Sequence, residues 1–302
     1  MRSRCFSVAV VGFCALFILL HAPPHAPFCE AKLAGSLEGV RNWFILLNDD
    51  DSAAGQLDQQ MQSFDMAILD PDRHFAHPDR EKGKPILIGY VSLGEAESYR
   101  FYWERVKDRP WILWENPDWK GNYLVDVRSD EWRTLLIDNV IPAVMEKGFR
   151  GLFLDTLDTA VSLEERESKK YSGCRAAMVG LIQEIHKKYP DLLLISNNGL
   201  ELLPQTAPFL SGVLVEDIHS MPDFEKGGYK EVPPEDRQEK VRLLKQMMEK
   251  YSLPVFIVDY VARSNKEKAR ECSERSRALG FKPYIAEKEL SEIYMFGLEQ
   301  GS

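Results

Sequence analysis

Gly151-Leu152-Phe153-Leu154-Asp155-Thr156-Leu157-Asp158 and Gly212-Val213-Leu214-Val215-Glu216-Asp217 decide how this chain is read. Each is a short apolar run ending in acids. That is the pattern of a strand buried on both faces of a parallel sheet, with carboxylates at its C-terminal end. Six more runs look alike, at residues 41–47, 65–69, 85–91, 192–195, 254–258 and 283–285. Amphipathic stretches lie between several of them. Trp132, Leu135, Leu136, Val140 and Val144 mark one helical stripe, with Ser129 as N-cap and Gly148 as stop. Met178, Leu181, Ile182, Ile185 and Tyr189 mark another, ended by Pro190, and residues 236–251 and 265–279 have the same pattern. Eight β/α units in succession predict an α/β fold, a single (β/α)8 TIM barrel over residues 36–300. A doubly wound open sheet is the alternative. It normally has fewer strands and a phosphate loop, and no GxGxxG or Walker-type glycine run is present.

The first residues read differently. Arg2 and Arg4 precede an apolar run of 15 residues from Phe6 to Leu20, short for a membrane span and typical of a signal-peptide core. Cys29-Glu30-Ala31 offers small residues at the −3 and −1 positions, so residues 1–31 read as a signal peptide, with an uncleaved N-terminal anchor as the alternative. The expected location is secreted or periplasmic, with no membrane association beyond the leader. Cleavage leaves 271 of 302 residues, the size of one large α/β domain, and moves the formal charge from −9 to −10. An acidic surface without a basic stripe argues against a nucleic-acid partner. Only Cys174 and Cys272 remain after cleavage, as one disulfide or as two buried thiols.

Polar residues follow each apolar run. They are Asn48 and Asp49, Asp70, Ser92 and Glu95, Asp155 and Asp158, Asn197 and Asn198, Glu216 and Asp217, Asp259 and Tyr260, and Glu287. In a parallel barrel these positions converge on the rim where active sites gather. Helix capping accounts for part of the set, Asp49, Asp158 and Asp217 first among them. It accounts less well for Asp155 and Glu216, which abut their hydrophobic runs. Two strands apart, on the order of 10 Å between backbones, inward carboxylates can approach to either glycosidase spacing. The segment 94–127 has no periodicity and reads as a long functional loop. Trp103, Trp111, Trp114 and Trp119 lie in it beside Tyr99, Tyr102 and Tyr123. Flat aromatic faces at a barrel mouth suit sugar rings, and equally a small core of the loop's own. His74 and His77 form an HxxH pair without the glutamate of a metalloprotease, so no metal site is expected, nor any cofactor.

Several segments resemble glycoside hydrolase family 114, the endo-α-1,4-polygalactosaminidases. They are residues 89–100 (GYVSLGEAESYR), Asn116-Pro117-Asp118-Trp119, Gly121-Asn122-Tyr123, residues 148–155 (GFRGLFLD), Asn198-Gly199 and Val215-Glu216-Asp217. They occur in the family's order and span nearly the whole mature chain. The resemblance implies a (β/α)8 fold, secretion and hydrolysis of α-1,4-linked galactosamine polymers, and it places the two catalytic carboxylates on Asp155 and Glu216. The chain departs from the family at Phe44-Ile45-Leu46-Leu47, where Tyr-Gln-Leu-Gln is common. It departs also at Asn197-Asn198 in place of Gln-Asn, and at Pro71, where an aromatic is usual. These changes touch the rim and bear on substrate. The sequence thus predicts a monomeric hydrolase acting on an amino-sugar polysaccharide, with Asp155 as nucleophile or base and Glu216 as general acid. Asp70, Tyr90, Ser92, Glu95, Asn197, Asn198, Asp259, Tyr260 and Trp119 are expected to bind substrate. The alternative is a barrel that binds polysaccharide without cutting it.

Overall fold

The computed structural model describes residues 37–48, 54–73 and 85–296. The leader at 1–31, Asp49 and the His74/His77 pair lie outside them. All eight expected strands form, each within one or two residues of the apolar run that announced it. They are β1 (Trp43–Leu46), β2 (Met66–Leu69), β3 (Ile86–Ser92), β4 (Gly151–Asp155), β5 (Leu193–Asn197), β6 (Gly212–Glu216), β7 (Val255–Tyr260) and β8 (Lys282–Ala286). Seven parallel ladders join them in chain order into one eight-stranded sheet with helices outside it. This is a nearly closed (β/α)8 barrel.

Strand alternation sorts the side chains. On β6 and β7, Val213, Val215, Val255 and Ile257 pack outward against Leu244 and Met247 of the helix Pro234–Tyr251. Leu214, Phe256, Val258 and Tyr260 belong to the interior cluster instead. The gap between β8 and β1 is bridged by side chains. Trp43 is 1% exposed, meets Phe256 and Tyr284 with ring centroids 5.3 and 5.4 Å away, and donates its Nε1 hydrogen to Lys282 O at 3.1 Å. Lys282 Nζ in turn bonds Val40 O and Glu38 O at 2.7 and 2.8 Å.

The outer helices follow their signals. Ser129 Oγ accepts from Trp132 N at 3.3 Å, and Gly148 ends that helical stretch at φ +90°. Between Asp130–Leu135 and Ile141–Glu146 one π turn, Leu136–Val140, precedes Pro142. The wider turn accommodates a proline, which has no N–H to return and crowds the carbonyl four residues back. Trp132 is fully buried and donates to Leu93 O at 2.8 Å, fixing the chain as it leaves β3.

The segment 94–127 is ordered, contrary to the reading of it as a loop without periodicity. Glu95–Glu97, Asn122–Val125 and Ile112–Glu115 form a three-stranded antiparallel sheet, with the one-turn helix Trp103–Val106 between them. A hairpin of Ser220–Pro222 with Tyr229–Glu231 follows β6. Strands of three or four residues are too short to show a period. Cys174 and Cys272 are buried, unpaired thiols. Burial pushes them up to about 11 and about 12, which keeps them protonated.

Trp43 is the natural probe of closure. Trp43→Ala is expected to lower the unfolding free energy by about 3–5 kcal/mol, the usual range for deleting a buried tryptophan, as read from denaturant unfolding at unchanged slope.

Candidate functional site

Asp155 and Glu216 are the last residues of β4 and β6, and Asn197 is the last residue of β5 between them. The Asn197 amide joins the two acids. Its Nδ2 donates to Asp155 Oδ1 at 2.9 Å and to Glu216 Oε1 at 2.8 Å. Both bonds start at one nitrogen, so these oxygens are no more than 5.7 Å apart, the two lengths laid end to end. A tyrosine closes each side. Tyr90 OH donates to Asp155 Oδ2 at 2.9 Å, and Tyr260 OH donates to Glu216 Oε2 at 2.8 Å. The result is one hydrogen-bonded chain across five successive strands, Tyr90–Asp155–Asn197–Glu216–Tyr260. Burial pushes the Glu216 carboxyl above the usual range and the Asp155 charge adds to this, while the bonds from Asn197 and Tyr260 oppose it. Burial and the adjacent acids hold both phenols protonated, hence as donors.

The residue after each of these strand ends is left-handed. Thr156 has φ +61°, Asn198 +45° and Asp217 +62°. For a β-branched threonine this conformation is rare and strained. Thr156 is held by its hydroxyl, which donates to Asp155 O at 2.7 Å, accepts from Gly94 N at 2.8 Å and meets Ser92 Oγ at 2.8 Å. Gly94 must be glycine, because a Cβ there would lie 2.2 Å from Thr156 O. Asn198 Oδ1 accepts from Glu216 N at 3.1 Å. Lys240, on the helix Pro234–Tyr251, donates to the carbonyls of Glu216 and Asp217 at 3.2 and 3.0 Å. Thr156 and Lys240 were not foreseen. A threonine after a strand and a lysine on an exposed helix carry no sequence signal.

The other expected residues divide. Glu95 is buried at the rim, where its Oε1 accepts from Asn116 Nδ2 at 2.9 Å and Thr159 Oγ1 at 3.2 Å. It therefore ties the small sheet to the barrel. Trp119 is 59% exposed in the turn of that sheet. The remaining tryptophans of the segment serve packing, as Trp111 lies against Trp132, Trp103 against Tyr123 and Trp114 against Tyr171. Two expectations need correction. Asp70 is buried in a charge cluster, its Oδ1 accepting from Arg100 Nη1 at 2.8 Å while Arg100 also pairs with Glu97 and Asp72. Asp259 is fully buried on the outer face of β7, and its Oδ1 accepts the backbone N–H groups of Ile218, His219 and Ser220 at 3.0, 2.6 and 3.0 Å. Neither is open to a sugar. Asp158 caps no helix end of its own but accepts from Gly199 N at 3.3 Å. Among the described residues no three His, Cys, Asp or Glu side chains converge to hold a metal ion.

The model of the glycoside-hydrolase family GH114 matches residues 30–300. The chain belongs to that family. As a GH114 protein it is a glycoside hydrolase. It is 28% identical over 293 residues to an uncharacterized protein of Deinococcus radiodurans, covering 90% of this chain and 89% of that one. An uncharacterized protein of Thermotoga maritima is 26% identical over 276 residues, covering 82% and 81%. Among solved structures, the glycoside hydrolase domain of PelA from Pseudomonas aeruginosa superposes with a TM-score of 0.71 at 25% identity, over 84% of this chain and 98% of that domain. Aspergillus fumigatus Ega3, solved in complex with galactosamine, shares the fold with a TM-score of 0.58 at 15% identity, over 88% and 98%.

Asp217 gives this GH114 site a measurable pH signature. Burial, then the Glu216 charge, pushes its carboxyl up to about 7 from 3.8. A raised carboxyl is favoured in its protonated form by the fold, so its ionisation removes stability as pH rises from about 4 to about 7. Asp217→Asn is expected to raise Tm by about 2–4 °C at pH 8, the shift that ~1 kcal/mol gives at this chain length. At pH 4 it should change Tm little, as differential scanning calorimetry would show.

Proposed function

We propose that the protein is an exported glycoside hydrolase that cleaves an α-1,4-linked, galactosamine-type polysaccharide with Asp155 and Glu216. The observation that carries this reading is the Asn197 amide bonded to both carboxylates at the ends of β4 and β6. Export rests on the leader read at residues 1–31. The substrate class rests on the family and on galactosamine as the ligand of Ega3.

The roles follow from the surroundings. Glu216, raised by burial, is the acid that protonates the glycosidic oxygen as the bond to C1 breaks. Asp155, oriented by Tyr90 and Asn197, attacks C1 from the other face. An oxygen separation of at most 5.7 Å falls on the close side of the two glycosidase regimes and favours the retaining course. In the second half, Glu216 takes a proton from water, the water oxygen bonds C1, and Asp155 leaves. Asn197 touches both acids throughout and keeps their spacing as charge moves from one to the other. Trp119, exposed in the turn of the small sheet, supplies a flat face for a sugar further along the chain.

Asp155→Asn and Glu216→Gln are each expected to lower turnover of deacetylated or acetylated galactosaminogalactan by about 10²–10⁴-fold or more, the scale of losing one such group, measured by reducing-end release. Full activity in both variants would sink the assignment. Glycan binding without cleavage by the wild type would make the barrel a binding protein instead.

The Tyr260 bond favours the charged form of Glu216, so removing it raises that carboxyl further. Activity needs Glu216 protonated and falls on the alkaline side as it ionises. Tyr260→Phe is therefore expected to move the alkaline limb of the kcat/KM profile to higher pH, by about half a unit or more for a bond worth ~1 kcal/mol. A shift to lower pH would contradict the acid role of Glu216.

A further inference from the structure

On the outer wall of the barrel, behind β6 and β7, the helices Pro234–Tyr251 and Lys266–Ala278 border an open hollow of about 470 Å³. His219 lines it together with Arg237 and Arg242 from the first helix and Arg275 from the second, and Val241 and Leu279 add apolar surface. It gathers cations in a chain whose formal charge is −9. Three guanidinium-bearing side chains on the border of one hollow make it electropositive.

The charges around the hollow leave that place open. Arg275 bonds Glu271 at 2.9 Å, one turn away on its own helix. Arg237 has only a 3.4 Å contact with the carbonyl of Val232, and Arg242 has no ion-pair partner among the described residues. His219 supplies the second, independent sign. Its side chain is 2% exposed, and neither ring nitrogen has a hydrogen-bond partner. A buried imidazole without a bond costs free energy, and such groups mark places where a ligand completes the structure. The nearby acids do not fill the role. Glu271 pairs with Arg275 and Lys268, and Asp259, whose Oδ1 accepts from three backbone N–H groups, has its buried Oδ2 bonded to neither the arginines nor the His219 ring.

We propose that this hollow is a binding site for an oxyanion, a phosphate, sulfate or carboxylate group, held by Arg242 and Arg275 with Arg237 beside them and His219 donating from beneath. Guanidinium forks match the paired oxygens of all three groups, and the apolar wall accepts the body that carries a carboxylate. The site is separate from the cleft. His219 follows Glu216 by three residues, but its backbone turns onto Asp259 on the outer face of β7.

The test uses the full protein, with inorganic phosphate, sulfate and glucuronate titrated separately at constant ionic strength against chloride. Calorimetry reads the binding, and NMR of the His219 ring reads its place. Saturable binding of at least one anion is expected, weakened about tenfold or more in Arg242→Gln and in Arg275→Gln. Activity on polysaccharide should be unchanged in both variants. Without ligand, burial and the charges of Arg275, Arg237 and Lys268 hold His219 down to about 4, against the pull of Glu271. A bound anion reverses part of that, so the His219 midpoint should move up on saturation. The preferred anion distinguishes a phosphate, a sulfate and an acidic sugar as the source. Absence of saturable binding, equal binding by both variants, or binding with an unmoved His219 midpoint overturns the proposal.

Discussion

Two carboxylates at the mouth of an apolar barrel repel each other and lose their water, and the Asn197 amide is what makes their proximity tolerable. One neutral group gives each acid a hydrogen bond and adds no charge of its own. The two phenols repeat the device at the flanks. Each acid thus has a donor on either side. The backbone completes the arrangement, since three successive strands are each followed by a left-handed residue that turns the chain away just after the functional side chain. Rigidity at this rim comes mostly from hydrogen bonds to backbone atoms near it, those of Thr156, Asn198 and Lys240.

The added structures serve the same rim. The three-stranded sheet after β3 is joined to the barrel through Glu95, Asn116 and Thr159, and the tryptophans of its segment pack on Tyr123, Trp132 and Tyr171. Beside it, Arg100 gathers Asp70, Asp72 and Glu97 and lies 5.5 Å from the Tyr90 ring centroid. A buried cation with three acids is a costly group to assemble, and here it backs the phenol that orients Asp155.

The barrel was legible because parallel strands buried on both faces are written as unbroken apolar runs, and because helices such as Cys174–Lys188 repeat at their own period. Asp155 and Glu216 stood out for the same reason, being acids set directly against such runs. What the runs hide is parity. In an all-apolar strand nothing says which side chain faces the lumen, so Asp259 and Tyr260 both looked like rim residues although neighbours on a strand point opposite ways. Tyr260 faces Glu216, and Asp259 faces the helices. The small sheet stayed hidden because its strands are too short for alternation to register. Arg100 and Lys240 stayed hidden because a charged residue reads as solvent-facing until its partners, 30 and 24 residues away, are known.

Trp43 and Lys282 meet across 239 residues of sequence, one of several hydrogen bonds that join the two ends of the barrel. Every other strand finds its ladder partner one β/α unit away, so the sheet can grow by local additions. The clasp cannot, since it closes a loop containing nearly the whole domain and carries a correspondingly large entropy cost. Wherever the clasp is open, β1 and β8 are unpaired edges, able to pair with a second chain in the same state. The tryptophan that fills the seam is also what ends that exposure.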